Sequence, residues 1–123
     1  MENSEFKQDF KKRIYALILK IIKFIELLPK NDDVCRIIRN QLIRSSTSIG
    51  ANYIEAMAGS SRKDFTNFLS HSLKSANESK FWLALLRDTN KGNKDQTQVL
   101  LKELIEISNI LGSSIRTLRM KKL

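Results

Sequence analysis

The sequence predicts an all-α protein: an antiparallel, up-down-up-down four-helix bundle occupying a single domain, residues 1–123. Three observations carry this. Apolar residues recur at i, i+3/i+4 spacing over four stretches of similar length. Glycine and proline are scarce, four and one in 123 residues, so the chain has few turns. The breaks that do occur are short, and short links between long helices place consecutive helices antiparallel.

The first helix is predicted over about Glu5–Leu28. Phe6, Phe10, Ile14, Leu17, Ile21, Phe24 and Leu28 share one face, with Lys12, Arg13, Lys20, Lys23 and Lys30 opposite. Pro29 ends it, because the residue before a proline avoids the α region. Asp32 or Asp33 then caps a second helix, about Asp33–Met57, whose core face is Val34, Ile38, Leu42, Ser45, Ile49 and Tyr53. Ser60 or Ser61 caps a third, running to about Asp88, with Phe65, Phe68, Leu69, Ser72, Ala76, Ser79, Leu83 and Leu86 inward. A polar loop at 89–94 leads to a fourth, about Asp95–Leu118, burying Leu100, Leu101, Leu104, Ile107, Ser108, Leu111, Ile115 and Leu118; the basic tail from Arg116 to Lys122 is expected to fray at its end.

Charge is the broadest functional signal. Lysine and arginine outnumber aspartate and glutamate 22 to 13, a formal charge of +9. That surplus points to a polyanionic partner rather than to a fold. RNA or DNA/RNA is the commonest such partner, and Lys12, Arg13, Lys20, Lys23, Lys30, Lys102 and Arg116 are the candidate phosphate contacts. No base-reading motif accompanies them, so contact would be electrostatic. A plain solvated surface is the competing reading. The run from Ile14 to Leu28 is broken by Lys20, Lys23 and Glu26, so a membrane span is not expected. Residues 1–5 lack the basic region of a secretory signal, and the expected location is the cytoplasm.

Candidate chemistry is sparse. Cys35 is the one cysteine and His71 the one histidine, so no metal motif or cofactor is expected. The simplest role for Cys35 is a small buried residue, and for His71 a hydrogen-bonded residue between helices. Arg44, Ser48, Asn52 and Glu55 form one polar stripe, while Ser75 and Glu78 fall on a matching stripe of the third helix. With the second and third helices antiparallel, Arg44 pairs with Glu78 and the network fixes helix register. Glu55 and Glu78 as an acid/base pair is the enzymatic alternative, but no nucleophile accompanies them, so the protein is expected to be non-enzymatic. Phe81 and Trp82 read as packing residues, with base stacking as the alternative.

Arg36, Arg39, Ile43, Gly50, Ile54 and Met57 fall on what should be the outer face of the second helix, and Trp82 lies off the core stripe of the third. An aligned set of exposed apolar groups calls for a partner, here a second copy of the chain.

The stretch Arg44-Ser45-Ser46-x-Ser48-Ile49-x-x-Asn52-x-Ile54-Glu55, followed by Ser61-Arg62-x-Asp64-Phe65-x-x-Phe68-Leu69 and Ser72-x-x-Ser75-x-x-Glu78, resembles the 23S rRNA intervening-sequence proteins. These signatures cover about half the chain. Tyr53 stands where that family favours Ile, and Ala56 and Lys74 where it favours Gly. The resemblance implies four-helix bundles closed into a homo-oligomeric ring, typically a pentamer. It also implies kinship with the accessory variability determinant of diversity-generating retroelements, which binds nucleic acid and a reverse transcriptase. Three functions follow as expectations: a bundle that binds RNA or a nucleic-acid complex, an accessory subunit of a retroelement reverse transcriptase, or a purely structural oligomer.

Overall fold

The computed structural model describes residues 4–120, and these form four helices with no strand among them. They are α1 (Ser4–Glu26), α2 (Asp33–Met57), α3 (Arg62–Asp88) and α4 (Lys94–Met120). Residues 121–123, the end of the basic tail, lie outside the described part.

Each boundary has a local cause. α1 stops two residues before the expected Leu28, where the amides of Leu27 and Leu28 turn to the tighter i→i−3 bonds, onto the carbonyls of Phe24 and Ile25. Of the two candidate caps, Asp32 serves α2, its carboxylate accepting from the Cys35 amide at 3.0 Å. Ser61 caps α3 through the Asp64 amide at 3.1 Å, while Ser60 donates to the Asp64 carboxylate. Asn93 caps α4, accepting from the Gln96 amide at 2.9 Å. The α3–α4 turn uses left-handed backbone at Asn90 (φ 57°) and Gly92 (φ 77°). Gly92 lies so near the end of α1 that a Cβ there would stand 2.9 Å from Leu28 and 3.1 Å from Phe24.

The helices form a four-helix bundle in which α1 packs on α2, α2 on α3, α3 on α4 and α4 on α1, while the backbones of the diagonal pairs α1/α3 and α2/α4 stay apart among the described residues. The α2–α3 seam is the most extensive and α1–α4 the least. Small residues explain the closeness of the former: Ser45, Ser72, Ala76 and Ser79 are all fully buried. Contacts along it run from Ser45–Ser79 through Ser48–Ser75 to Ile49–Ser72. On α1–α2, Tyr53 donates to the Lys7 carbonyl at 3.1 Å, Gly50 lies on Ile14 and Ile18, and Arg39 reaches Ile25.

The core holds most of the expected positions, the buried Cys35 among them, and adds Ile25 and Ala56. Two expected core residues are exposed, Phe6 and Val34. Both sit in the first turn of a helix, and Phe6 packs on Phe10. Phe65 and Phe68 are half-buried rather than central. No helix among the described residues is long and apolar enough to cross a membrane.

Candidate functional site

Four exposed cations of α1 carry no ion pair, and others on α3 and α4 share that state among the described residues. The apolar stripe of α1 faces α2 and α4, which leaves Lys11, Lys12, Lys20 and Lys23 exposed and without an ion pair among the described residues. Lys20 and Lys23 stand beside a cleft of about 360 Å³ between α1 and α4, lined also by Phe24, Leu27, Val99 and Leu100. On the other flank, Lys11 and Lys12 border a groove of about 250 Å³ against α2, with Tyr15, Leu19, Gly50 and Ile54.

The remaining candidate phosphate contacts do not join this set as expected. Arg13 is not a free cation: its guanidinium is held by Glu103 and Glu106 of α4, with Nε 2.7 Å from Glu103 and Nη2 2.7 Å from Glu106. Burial disfavours its charge, but the two carboxylates outweigh that and raise its pKa. A sequence stripe cannot reveal a partner ninety residues away. Lys30 lies beyond α1, in the turn after Pro29, rather than on the helical stripe. Lys102 and Arg116 are exposed on α4 but stand about 21 Å apart along its axis.

The two polar stripes meet across α2–α3. Arg44 pairs with Glu78, whose carboxylate also accepts from the Trp82 indole at 3.0 Å, and Arg44 reaches Gln41 at 2.9 Å. Ser75 donates to Ser48 at 2.8 Å, and the Asn52 amide donates to the same Ser48 hydroxyl at 2.9 Å. Deeper in the seam, Ser45 and Ser79 are 2.8 Å apart, Ser79 donates to the Ser75 carbonyl, and Ser72 donates to the Ile49 carbonyl at 2.8 Å. Glu55 is exposed and its carboxylate makes no hydrogen bond among the described residues, so it stands outside the network. This arrangement spends its donors and acceptors internally, and its chemistry is registration of two helices.

Several positions read from the sequence as outward are intramolecular. Arg39 donates to the carbonyls of Ile25 (3.2 Å), Leu28 (3.1 Å) and Pro29 (3.2 Å), closing the C-terminus of α1. Gly50 is filled by α1: a Cβ there would lie 2.9 Å from the Ile18 Cδ1. Ile43, Met57 and Trp82 are half-buried against the core. The row Arg36–Met57 is therefore mostly the flank of α2 that meets α1, because a bundle helix buries a face toward each of two neighbours. Only Arg36 and Ile54 of that row are exposed, Ile54 at 53%. His71, expected between helices, is exposed; its ring stands 6.1 Å from that of Phe68 and makes no hydrogen bond among the described residues. Cys35 is buried, and burial followed by the charge of Asp32 pushes its thiol up, which suits packing rather than nucleophilic chemistry. Among the described residues, no group of three or more His, Cys, Asp or Glu is placed to hold a metal ion.

The groove beside Lys11 and Lys12 escaped the sequence reading. Its signal was present, since Tyr15 and Leu19 form an i, i+4 apolar pair off the core stripe. What no pattern supplied was the neighbouring Ile54 from α2.

A family model described as 23S rRNA-intervening sequence protein matches residues 7–113. Among solved structures, the chain is similar to a protein of unknown function from the S23 ribosomal protein family of Bacteroides thetaiotaomicron VPI-5482. The two share 32% identity over 89% of this chain and 97% of that one, with a TM-score of 0.81. No curated protein matches the chain.

Proposed function

Since the chain belongs to the 23S rRNA-intervening sequence protein family, we propose that it is a non-catalytic, self-associating bundle that holds RNA against the basic side of α1. The observation that carries this is the state of the α1 cations: Arg13 is neutralised by α4, whereas Lys11, Lys12, Lys20 and Lys23 face solvent without carboxylate partners among the described residues. Phosphates brought against these unpaired cations release counterions on binding, which favours association at low salt.

Up-down-up-down topology is part of this reading. Its support is that rising numbers on one helix meet falling numbers on the next: Lys7, Ile14/Ile18 and Ile25 against Tyr53, Gly50 and Arg39, and Ser45 and Ile49 against Ser79 and Ser72. Self-association, in a ring of identical subunits, has narrower support than the sequence suggested. It rests on Ile37 and Phe81, each more than half exposed. A cytoplasmic location fits a lone cysteine kept as a buried thiol.

The test is a filter-binding titration of the intact protein against RNA at several salt concentrations, with light scattering on the same samples. A steep negative dependence of log affinity on log salt supports the reading. Absence of RNA binding at low salt removes it, and a monomeric mass at micromolar protein removes the self-association.

A further inference from the structure

We propose that the α1–α2 groove is a stacking site for an unpaired nucleobase, so that the protein prefers single-stranded over double-stranded RNA. This deepens the RNA-binding reading above and rests on it.

Tyr15 is 65% exposed, the most exposed aromatic residue of the described chain. Other aromatic rings outside the core have partners: Phe6 lies on Phe10, Phe81 on Trp82, Phe68 beside His71, and Phe65 under the Lys7 ammonium. No ring stacks on Tyr15 among the described residues. An apolar ring face held in water on a rigid helix, one turn from Lys11 and Leu19, is the arrangement that receives a base while a neighbouring cation receives its phosphate. The groove beside it is apolar along Leu19, Gly50 and Ile54, with Lys11 and Lys12 at its border. Its volume of about 250 Å³ is below the roughly 300–1,000 Å³ of sites that enclose a whole small molecule. That suits one flat ring slipped in from the surface. Gly50 contributes by leaving the groove floor to the Ile18 and Ile14 side chains.

Charge complementarity decides among occupants. An apolar partner helix would gain nothing from Lys11 and Lys12, and a second copy of this chain would bring a surface that is itself in cationic surplus. A nucleic-acid strand offers a base for the ring and a phosphate for the ammonium groups within one nucleotide. A duplex keeps its bases stacked and offers phosphates alone.

The experiment compares the full chain and its variants on a fluorescein-labelled 12-nucleotide single-stranded RNA and on the same sequence as a duplex. Tyr15→Ala is expected to weaken single-strand binding about tenfold and leave the duplex unchanged, and Tyr15→Phe, which keeps the ring, recovers most of the loss. Lys11→Gln with Lys12→Gln weakens both RNAs and makes the salt dependence shallower by roughly 1.5 units. RNA binding that is indifferent to Tyr15→Ala overturns the stacking site while leaving the RNA reading intact. Displacement of the RNA by polyglutamate as readily as by unlabelled single strand also overturns it. So does a drop in solution mass for Tyr15→Ala, which assigns the groove to a contact between copies. No binding of either RNA at low salt removes the RNA reading and this site together.

Discussion

Asp32 and Lys91 join the two loops at one end of the bundle. The ammonium of Lys91, in the α3–α4 turn, pairs with one carboxylate oxygen of Asp32, while the other accepts from the Cys35 amide at the start of α2. One side chain thus caps a helix and anchors a turn that crosses from the opposite side of the bundle.

This pair gives stability a definite pH dependence. The hydrogen bond from Lys91, then that from the Cys35 amide, lowers the pKa of Asp32 below its ordinary value of 3.8. Its contribution is therefore present above that value and lost as pH falls through the lower folded-state value. Lys91 is shifted the other way, raised above 10.5 chiefly by Asp32, so its share is complete below 10.5 and lost as pH rises through the folded value. Thermal melts of the protein and of Asp32→Asn should differ most between pH 5 and 9, and the difference should shrink as pH falls below 3.8 through the depressed folded-state value. A difference independent of pH would mean that the pair adds nothing.

Arg39 should behave as a structural cap. Its three bonds to carbonyls at the end of α1 predict that Arg39→Ala lowers unfolding free energy by about 1.5–3 kcal/mol. Arg39→Lys should recover little, because one ammonium cannot reproduce a planar fork. Urea unfolding measures this, and the solution mass of folded Arg39→Ala should not change. A lower mass at wild-type stability would return Arg39 to an intersubunit surface.

Gly50 offers a graded test of the α1–α2 approach. A methyl group there crowds only the terminal methyl of Ile18 and meets Ile14 at ordinary contact distance, so the gain in helix propensity, about 1 kcal/mol, largely offsets the crowding. Gly50→Ala is expected within about 1 kcal/mol of neutral, and Gly50→Leu to cost about 1–3 kcal/mol. Equal stability of all three would show that α1 does not press on this position.

Across α2–α3, burial should outrank charge. Arg44 is more than half exposed in its pair with Glu78, which limits the coupling in a double-mutant cycle to about 0.2–1 kcal/mol, decreasing with salt. The Ser45–Ser79 pair is fully buried, and removing one hydroxyl leaves the other only its bond to a carbonyl of its own helix, Leu42 for Ser45 and Ser75 for Ser79; its coupling should be about 1 kcal/mol and insensitive to salt. Salt-dependent coupling between the two serines would contradict this ordering.

Arg13 and Lys12, adjacent in sequence, should separate in RNA titrations. Lys12→Gln is expected to make the salt dependence of binding shallower by about 0.7–0.9 units. Arg13→Gln should leave that slope alone and lower stability, since its charge is already spent on Glu103 and Glu106. A slope change for Arg13→Gln would show that the ion pair opens to receive phosphate.

The sequence by itself determined the helices. α2 spans the expected Asp33–Met57, and α3 starts after the Ser61 cap and ends at Asp88, because caps, breakers and 3.6-residue periodicity act within a few residues of chain. It also brought Arg44 and Glu78 into view as partners, since two stripes flanking one short break have few ways to face each other. Only the tertiary structure decided which flank of each helix is covered and by what. Periodicity places a residue by its angle about its own axis, and that angle has no meaning until the neighbours are fixed. So Arg39 and Gly50 looked outward yet serve α1, Arg13 looked free yet is held by α4, and Tyr15 stood unremarked until Ile54 of α2 closed the groove beside it.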